Sequence, residues 1–287
     1  MVCFVVLHYL TFDETVANVD CILNNVKGEK KIIIVDNGSN NNSGIELKKY
    51  YENNEFVDII ISDDNLGFAN GNNLGYEYAK EKYNPDFIVA LNNDVEINQS
   101  DFIDKIYEIY KKEKYHILSP NIYSTYSKIN QSPKRLKRYT VEELRSILKD
   151  YEKRNKSKVF IPVKCWLKSI GPLKKIMQRI KFKKKNIDYS KKYINVPVHG
   201  ACVIFSKDYI KEMSYAFFDK TFMYFEMEIL DVECSKRDFK VIYDPSIEVF
   251  HHHSVSSQHT MKRELTRERF VNKCVVDSIS NYLEEVN

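Results

Sequence analysis

The sequence predicts an α/β fold in which a parallel sheet is covered by helices, and three observations predict it. Over the first 120 residues, short β-rich runs alternate with helical stretches. Polar clusters follow three of those runs at their carboxyl ends: Asp36-Asn37-Gly38-Ser39, Asp63-Asp64-Asn65 and Asn92-Asn93-Asp94. A hydrophobic content of 43% over 287 residues suffices for one large domain and an appendage.

Taken in order, strands are expected at residues 3–9, 31–36, 57–62 and 87–91, with helices at 14–26, 44–53, 72–82 and 101–114 between and after them. From 121 to 195 the alternation stops and the chain turns basic and aromatic, with Trp166 the only tryptophan, which marks an insertion. Alternation resumes at 196–206, followed by a helix near 224–237 and strands near 240–243 and 247–251. The end, 260–285, reads as a long charged helix whose buried stripe is Leu265, Phe270, Cys274, Val275 and Ile279. The chain thus divides into segments 1–120, 121–195, 196–257 and 258–287.

Charge is unevenly spread. Residues 128–192 carry 22 Lys and Arg against 5 Asp and Glu, so a chain of net charge +4 is a basic segment attached to an acidic remainder. Such a split points to a surface for an anionic partner. The six cysteines stand apart from one another, without zinc-site pairing or the density of a disulfide scaffold, and are expected to be reduced. The first nine residues lack the features of a signal peptide, and no stretch approaches the roughly 20 apolar residues of a membrane span. A cytoplasmic protein that is not integral to a membrane is expected.

In open α/β sheets ligands bind beyond the carboxyl ends of the strands. Asn, Asp and Gly also make turns and cap helices, but three such clusters at one edge favour a site. Asp36 ends an apolar strand, where its carboxylate would project from the sheet edge and accept the imide N–H of uracil or thymine; turn capping is its other reading. Asp94 closes Phe87-Ile88-Val89-Ala90-Leu91-Asn92-Asn93 and places a hard oxygen ligand beyond a buried strand, suited to Mg²⁺ or Mn²⁺. Asn92 offers a neutral contact to a sugar or ribose.

Glu226 and Glu228 open an apparently amphipathic helix, where acids stabilise the helix dipole. Their apolar surroundings favour a general base, because burial raises a carboxyl group toward neutrality. Two residues along a helix are about 200° apart, so only one of them is expected to face an acceptor. His251, His252 and His253 follow a β-rich segment, with His251 and His253 on one face and His252 on the other. Three histidines there point to a metal or phosphate contact.

The ordered set of Val5-Val6-Leu7-His8-Tyr9, Val35-Asp36-Asn37-Gly38-Ser39, Asn65-Leu66-Gly67-Phe68-Ala69-Asn70-Gly71-Asn72-Asn73, Leu91-Asn92-Asn93-Asp94, Gly200-Ala201-Cys202, the Glu226 region and Pro245 to His251 resembles family-two glycosyltransferases. It is most similar to rhamnosyltransferase-like members that make capsule or O-antigen. The resemblance covers about residues 2–120 and 196–257. It implies a GT-A fold, a Rossmann-like nucleotide-binding sheet flanked by helices, carrying here a basic and largely helical insertion. It further implies an inverting mechanism, Mn²⁺ or Mg²⁺ as cofactor, a UDP- or dTDP-sugar donor and a glycan or lipid-diphosphate-linked acceptor. By motif, Asp36 would read the nucleobase, Asp94 would bind the metal, and His251 the metal or the diphosphate. His8, Tyr9, Asn65, Gly67, Phe68, Asn73, Asn92 and Asn93 would shape the donor pocket.

Two positions depart from the family pattern. Asn92 replaces the first of two aspartates in the metal motif. Met227 replaces the second of two adjacent acids, leaving the base open between Glu226 and Glu228, with Glu226 holding the first acidic position. Within the insertion, Leu173, Ile176, Met177 and Ile180 fall at helical spacing among basic residues. A basic amphipathic helix of that kind lies on an anionic membrane, at the inner face of the cell membrane in this case, although an ordinary packed helix has the same pattern. Two other function classes are a donor-binding protein without catalysis, prompted by Met227, and nucleic-acid binding through the insertion. No helix-turn-helix, zinc-finger or RNA-recognition signature is present, so no nucleic-acid partner is expected.

Overall fold

The computed structural model describes residues 1–157, 159–169, 187–252 and 264–286. The helix expected over residues 172–180, with Leu173, Ile176, Met177 and Ile180, lies outside them, as does His253. The elements are β1 (Val2–His8), α1 (Phe12–Asn25), β2 (Lys30–Asp36), α2 (Ser43–Tyr50), β3 (Val57–Ile61), α3 (Gly67–Tyr83), β4 (Phe87–Asn92), β5 (Val95–Glu96), α4 (Phe102–Glu113), β6 (Ile117–Ser124) and β7 (Ile129–Asn130). They continue with α5 (Val141–Lys156), α6 (Phe160–Ser169), β8 (Tyr193–Ile194), β9 (Cys202–Ser206), α7 (Lys207–Glu212), α8 (Glu226–Lys236), β10 (Val241–His251) and α9 (Glu264–Glu285).

All the described strands join one sheet, in the order β3-β2-β1-β4-β9-β6-β10-β5, with β7 on β6 and β8 on β10. The first four strands of that order are parallel, and β9 enters antiparallel between β4 and β6. Strand alternation divides the core between the two faces. Val2, Phe4 and Val6 of β1 pack with Val19 and Ile22 of α1 and Phe102 and Ile106 of α4. Cys3 and Val5 pack on the other face with Tyr76 of α3, Tyr209 of α7 and Leu230 of α8. None of the six cysteines is in a disulfide.

A second layer lies outside α8. Leu144 of α5 meets Ile229 and Val232 of α8 and Val275, Ile279 and Tyr282 of α9. This makes α8 a helix covered on two sides, which is why Asp231 and Glu233 are buried in it. Each has a partner: Asp231 Oδ2 accepts the Tyr139 N–H at 2.7 Å, and Tyr215 donates to Glu233 at 2.8 Å. Thr140 caps α5 by accepting the Glu143 N–H at 3.1 Å.

Three expectations about the elements need correction. Residues 117–124 form β6, in the interior of the sheet, so a boundary at 121 falls within a strand and the segments 1–120, 121–195 and 196–257 share one sheet. Pro120 and the polar residues Ser119 and Asn121 hid this strand. Proline lacks the N–H that a ladder needs, and β10 bulges between Asp244 and Glu248 directly opposite Pro120 and Asn121, where the ladder is interrupted. The same bulge makes one strand of the two expected at 240–243 and 247–251. Finally, α3 begins at Gly67 rather than near residue 72. Gly67 has φ +79°, and a Cβ there would stand 2.0 Å from the Phe222 carbonyl oxygen, so only glycine lets the loop and helix meet.

Candidate active site

The carboxyl ends of β1, β2 and β4, the start of α3, the start of α8 and one face of α9 enclose a cleft of about 560 Å³. Its walls hold Tyr9, Asn65, Gly67, Phe68, Asn92, Asn93 and Asp94 from the first half of the chain and Glu226 and Glu228 from α8. The sequence placed these residues in one site, and the topology brings them to one sheet edge.

Asp94 and His251 meet because β10 and β5 are antiparallel neighbours, with His251 opposite Val95. His251 Nε2 lies 3.2 Å from Asp94 Oδ1. His251 Nδ1 lies 2.7 Å from Gln131 Oε1. An amide oxygen only accepts, so Nδ1 carries the proton, and Nε2 faces Asp94 either as imidazolium or as a ligand. His252 points elsewhere, 2.7 Å from Glu96 and 3.1 Å from Thr125. Among the described residues no group of three or more His, Cys, Asp or Glu is arranged to hold a metal. A carboxylate and an imidazole edge to edge nevertheless fit a cation that takes its remaining ligands from substrate phosphates and water.

Glu226 is the first residue of α8 and only 6% exposed. Burial pushes its carboxyl up to about 7, with the Glu228 charge adding to the rise and the Lys134 charge opposing it. Among the described residues its Oε1 has no hydrogen-bond partner. Tyr224 and Phe225 before it have φ of 71° and 80°, a rare backbone for non-glycine residues that aims the helix start into the cleft. Glu228 also lines the cleft, which overturns the expectation that only one of the two acids faces it: at a helix end the cleft wraps around the first turn. The two differ in company. Glu228 Oε1 accepts from Lys134 Nζ at 3.0 Å, whereas Glu226 is more deeply buried and its Oε1 accepts no hydrogen bond among the described residues.

Three expected donor residues stand back from the cleft. His8 is fully buried, with Nδ1 2.7 Å from Thr15 Oγ1 and Nε2 2.7 Å from Ser43 Oγ, and burial lowers it to about 4. It ties β1 to α1 and α2 as a neutral ring. Asp36 does not project from the edge: it is 2% exposed, accepts the Ser39 N–H at 3.1 Å, and is pushed up by burial. A Cβ on Gly44 would lie 1.8 Å from its Oδ2, so α2 is pressed against it. Asn73 secures α3 to the chain after α7, accepting the Ala216 and Phe217 N–H groups at 3.0 and 2.9 Å and donating to the Phe217 carbonyl.

Sequence reasoning missed Lys134, His199 and Arg267, all of which line the cleft. His199 Nδ1 accepts the Ala201 N–H at 3.1 Å, and its ring stands 5.9 Å from that of His251. Lys134 belongs to the basic segment and Arg267 to the last helix, so nothing in their local sequence tied them to the sheet edge. The neighbouring Gly200-Ala201-Cys202 motif was the one available signal for His199.

A central sheet flanked by helices, with its carboxyl edge open to a cleft, is the α/β architecture of the GT-A class. Residues 3–214 match the model for glycosyl transferase family 2, and the chain belongs to that family. It is similar to the low-salt glycan biosynthesis hexosyltransferase Agl10 of Haloferax volcanii, with 32% identity over 109 residues covering 38% of this chain and 34% of that protein. The shared region therefore spans about a third of that curated relative. Among solved structures, a crystal structure of GalNAc-T7 with UDP, GalNAc and Mn²⁺ superposes with a TM-score of 0.59 at 11% identity, covering 88% of this chain and 44% of that one. At that identity the likeness concerns the fold.

Proposed function

We propose that this protein is a divalent-cation-dependent, inverting glycosyltransferase that moves a hexosyl or rhamnosyl group from a UDP- or dTDP-sugar to a glycan or lipid-linked acceptor in surface polysaccharide synthesis. The observation that carries this reading is the Glu226 carboxyl, buried and with an oxygen unpartnered among the described residues, in the cleft that Asp94 also lines, with His251 behind Asp94 at 3.2 Å. Family membership and the curated hexosyltransferase relative support it. The acceptor lies at the inner face of the cell membrane in this reading.

Tyr9, Asn65, Gly67, Phe68, Asn92 and Asn93 line the cleft and would contact the donor. Asp94 and His251 would hold Mn²⁺ or Mg²⁺, which when bound neutralises charge gathering on the departing diphosphate. Glu226 takes the proton from the acceptor hydroxyl, and its apolar walls keep it basic enough to do so near neutral pH. The hydroxyl then attacks the face of the sugar opposite the leaving group, which inverts the anomeric carbon in one displacement without a nucleophilic side chain.

The test is release of nucleoside diphosphate from a panel of UDP- and dTDP-sugars with Mn²⁺ and a saccharide acceptor. Glu226→Gln should lower turnover by roughly 10²-fold or more while donor affinity stays near wild type. Full turnover by both Glu226→Gln and Glu228→Gln would remove the assignment of the base.

A further inference from the structure

The helix α6 packs its inner side on α9. Ile161 is buried, and Lys164 Nζ lies 2.7 Å from Glu268 Oε2. The opposite side is apolar and open to solvent: Val159 is 65% exposed, Phe160 44%, Val163 44% and Trp166 64%. Val159, Val163 and Trp166 fall at i, i+4 and i+7, which is a single helical stripe. Large apolar side chains gathered on one exposed face mark a contact surface, unlike a lone exposed leucine.

Charge says what that surface meets. Residues 153–185 contain 13 Lys and Arg and no Asp or Glu. Lys153, Arg154 and Lys156 close α5 just before the stripe begins. An apolar protein surface is not selected by cations, and a polyanion alone is not selected by valine and phenylalanine. A bilayer with anionic headgroups satisfies both, and tryptophan is the residue that favours the headgroup level.

We propose that the face formed by Val159, immediately before α6, and by Phe160, Val163 and Trp166 of α6 is a membrane-docking surface that inserts its side chains among the headgroups of an anionic bilayer. The cationic residues of the 153–185 segment supply salt-sensitive attraction, and the apolar stripe supplies the part that salt does not screen. The placement also has a consequence for the cleft. Glu268, the partner of Lys164, is one residue from Arg267, which lines the cleft together with Phe270. A bilayer held by the outer side of α6 is therefore one helix away from α9, which walls the cleft, and that suits an acceptor carried on a membrane lipid. Docking itself needs neither donor nor turnover, so its failure leaves the transferase reading intact.

Trp166 is the only tryptophan, so its fluorescence reports this surface alone. With vesicles of phosphatidylcholine and phosphatidylglycerol, emission should shift to the blue and become quenchable by brominated lipid, while phosphatidylcholine vesicles should produce little change. Val163→Ser, which keeps the reporter, should weaken vesicle binding by about tenfold, as should Trp166→Ser followed by co-sedimentation. Both should melt at the wild-type temperature, since neither side chain is in the core. No shift with anionic vesicles would overturn the proposal. So would emission in buffer that is already blue and shielded from iodide, which would mean that protein covers this face. A shift with single-stranded RNA and none with vesicles would also overturn it.

Discussion

Lys134 Nζ stands 3.0 Å from Glu228 Oε1, so one of the two cleft acids is directly paired with a cation, while Glu226, on the same helical turn, makes no ion pair among the described residues. The lysine comes from the basic segment before α5 and the acid from α8, elements that meet only in the folded chain. This pairing gives two otherwise similar carboxyl groups different electrostatic surroundings, and in the proposed mechanism that difference separates their roles.

Glu226 is raised to about 7, and a base acts deprotonated, so transfer should rise through about pH 7 to a plateau. Lys134→Met removes a charge that lowers this value and should move the rising limb up by about one pH unit. Glu228→Gln removes a charge that raises it and should move the limb down. Profiles of kcat/KM against pH decide the matter. Loss of all activity in Glu228→Gln would instead make Glu228 the base.

The same burial costs stability. Glu226 binds its proton more tightly in the folded chain, at about 7 against 4.5, so the folded state loses stability as pH rises from 4.5 through 7. Above that window the penalty is on the order of 3 kcal/mol, and a neutral Gln does not incur it. Glu226→Gln should therefore unfold at a higher temperature than wild type at pH 8 and at about the same temperature at pH 4.5. Equal melting of the two at pH 8 would show that Glu226 is not desolvated.

His8 has the opposite linkage. Its ring is lowered from 6.5 to about 4, so its contribution is complete above pH 6.5 and is lost as pH falls from there toward 4. His8→Ala should lower stability at pH 7.5 by about 2 kcal/mol, because Thr15 and Ser43 each lose a buried partner. The acid-side slope of stability should flatten in the variant. Affinity for UDP should not change in the folded protein, and calorimetry showing a marked loss would return His8 to the donor pocket.

Gln131 orients His251 and touches nothing else that the proposed chemistry uses. Gln131→Leu should lower Mn²⁺ affinity in the presence of UDP by about 10- to 100-fold while preserving the fold. Titration followed by calorimetry measures it directly. Unchanged affinity would exclude His251 as a ligand.

Much of the fold was legible because its signals are local. The runs at β1, β2, β3 and β4 are apolar and β-branched, and the polar clusters after them mark the sheet edge where Asn65, Asn92 and Asp94 now line the cleft. Strand β6 was not legible, since Pro120 breaks the local pattern and only the bulge in β10 across from it makes the pairing possible. The basic segment was recognised from its composition, but its division between sheet strands and surface helices was not.

The sequence by itself determined which chemical groups this protein carries and where along the chain they fall: a strand-end Asp94, a strand-end His251, and a helix that opens with Glu226 and Glu228. Side-chain periodicity and residue type set those features within a few neighbouring residues. Only the tertiary structure decided which groups share an environment. It placed His8, Asp36 and Asn73 behind the cleft, brought in Lys134, His199 and Arg267 from distant segments, and gave Glu228 a direct ion pair that Glu226 does not make among the described residues. Burial and electrostatic neighbours depend on residues remote in sequence, so the property that separates a structural acid from a working base exists only once the chain has folded.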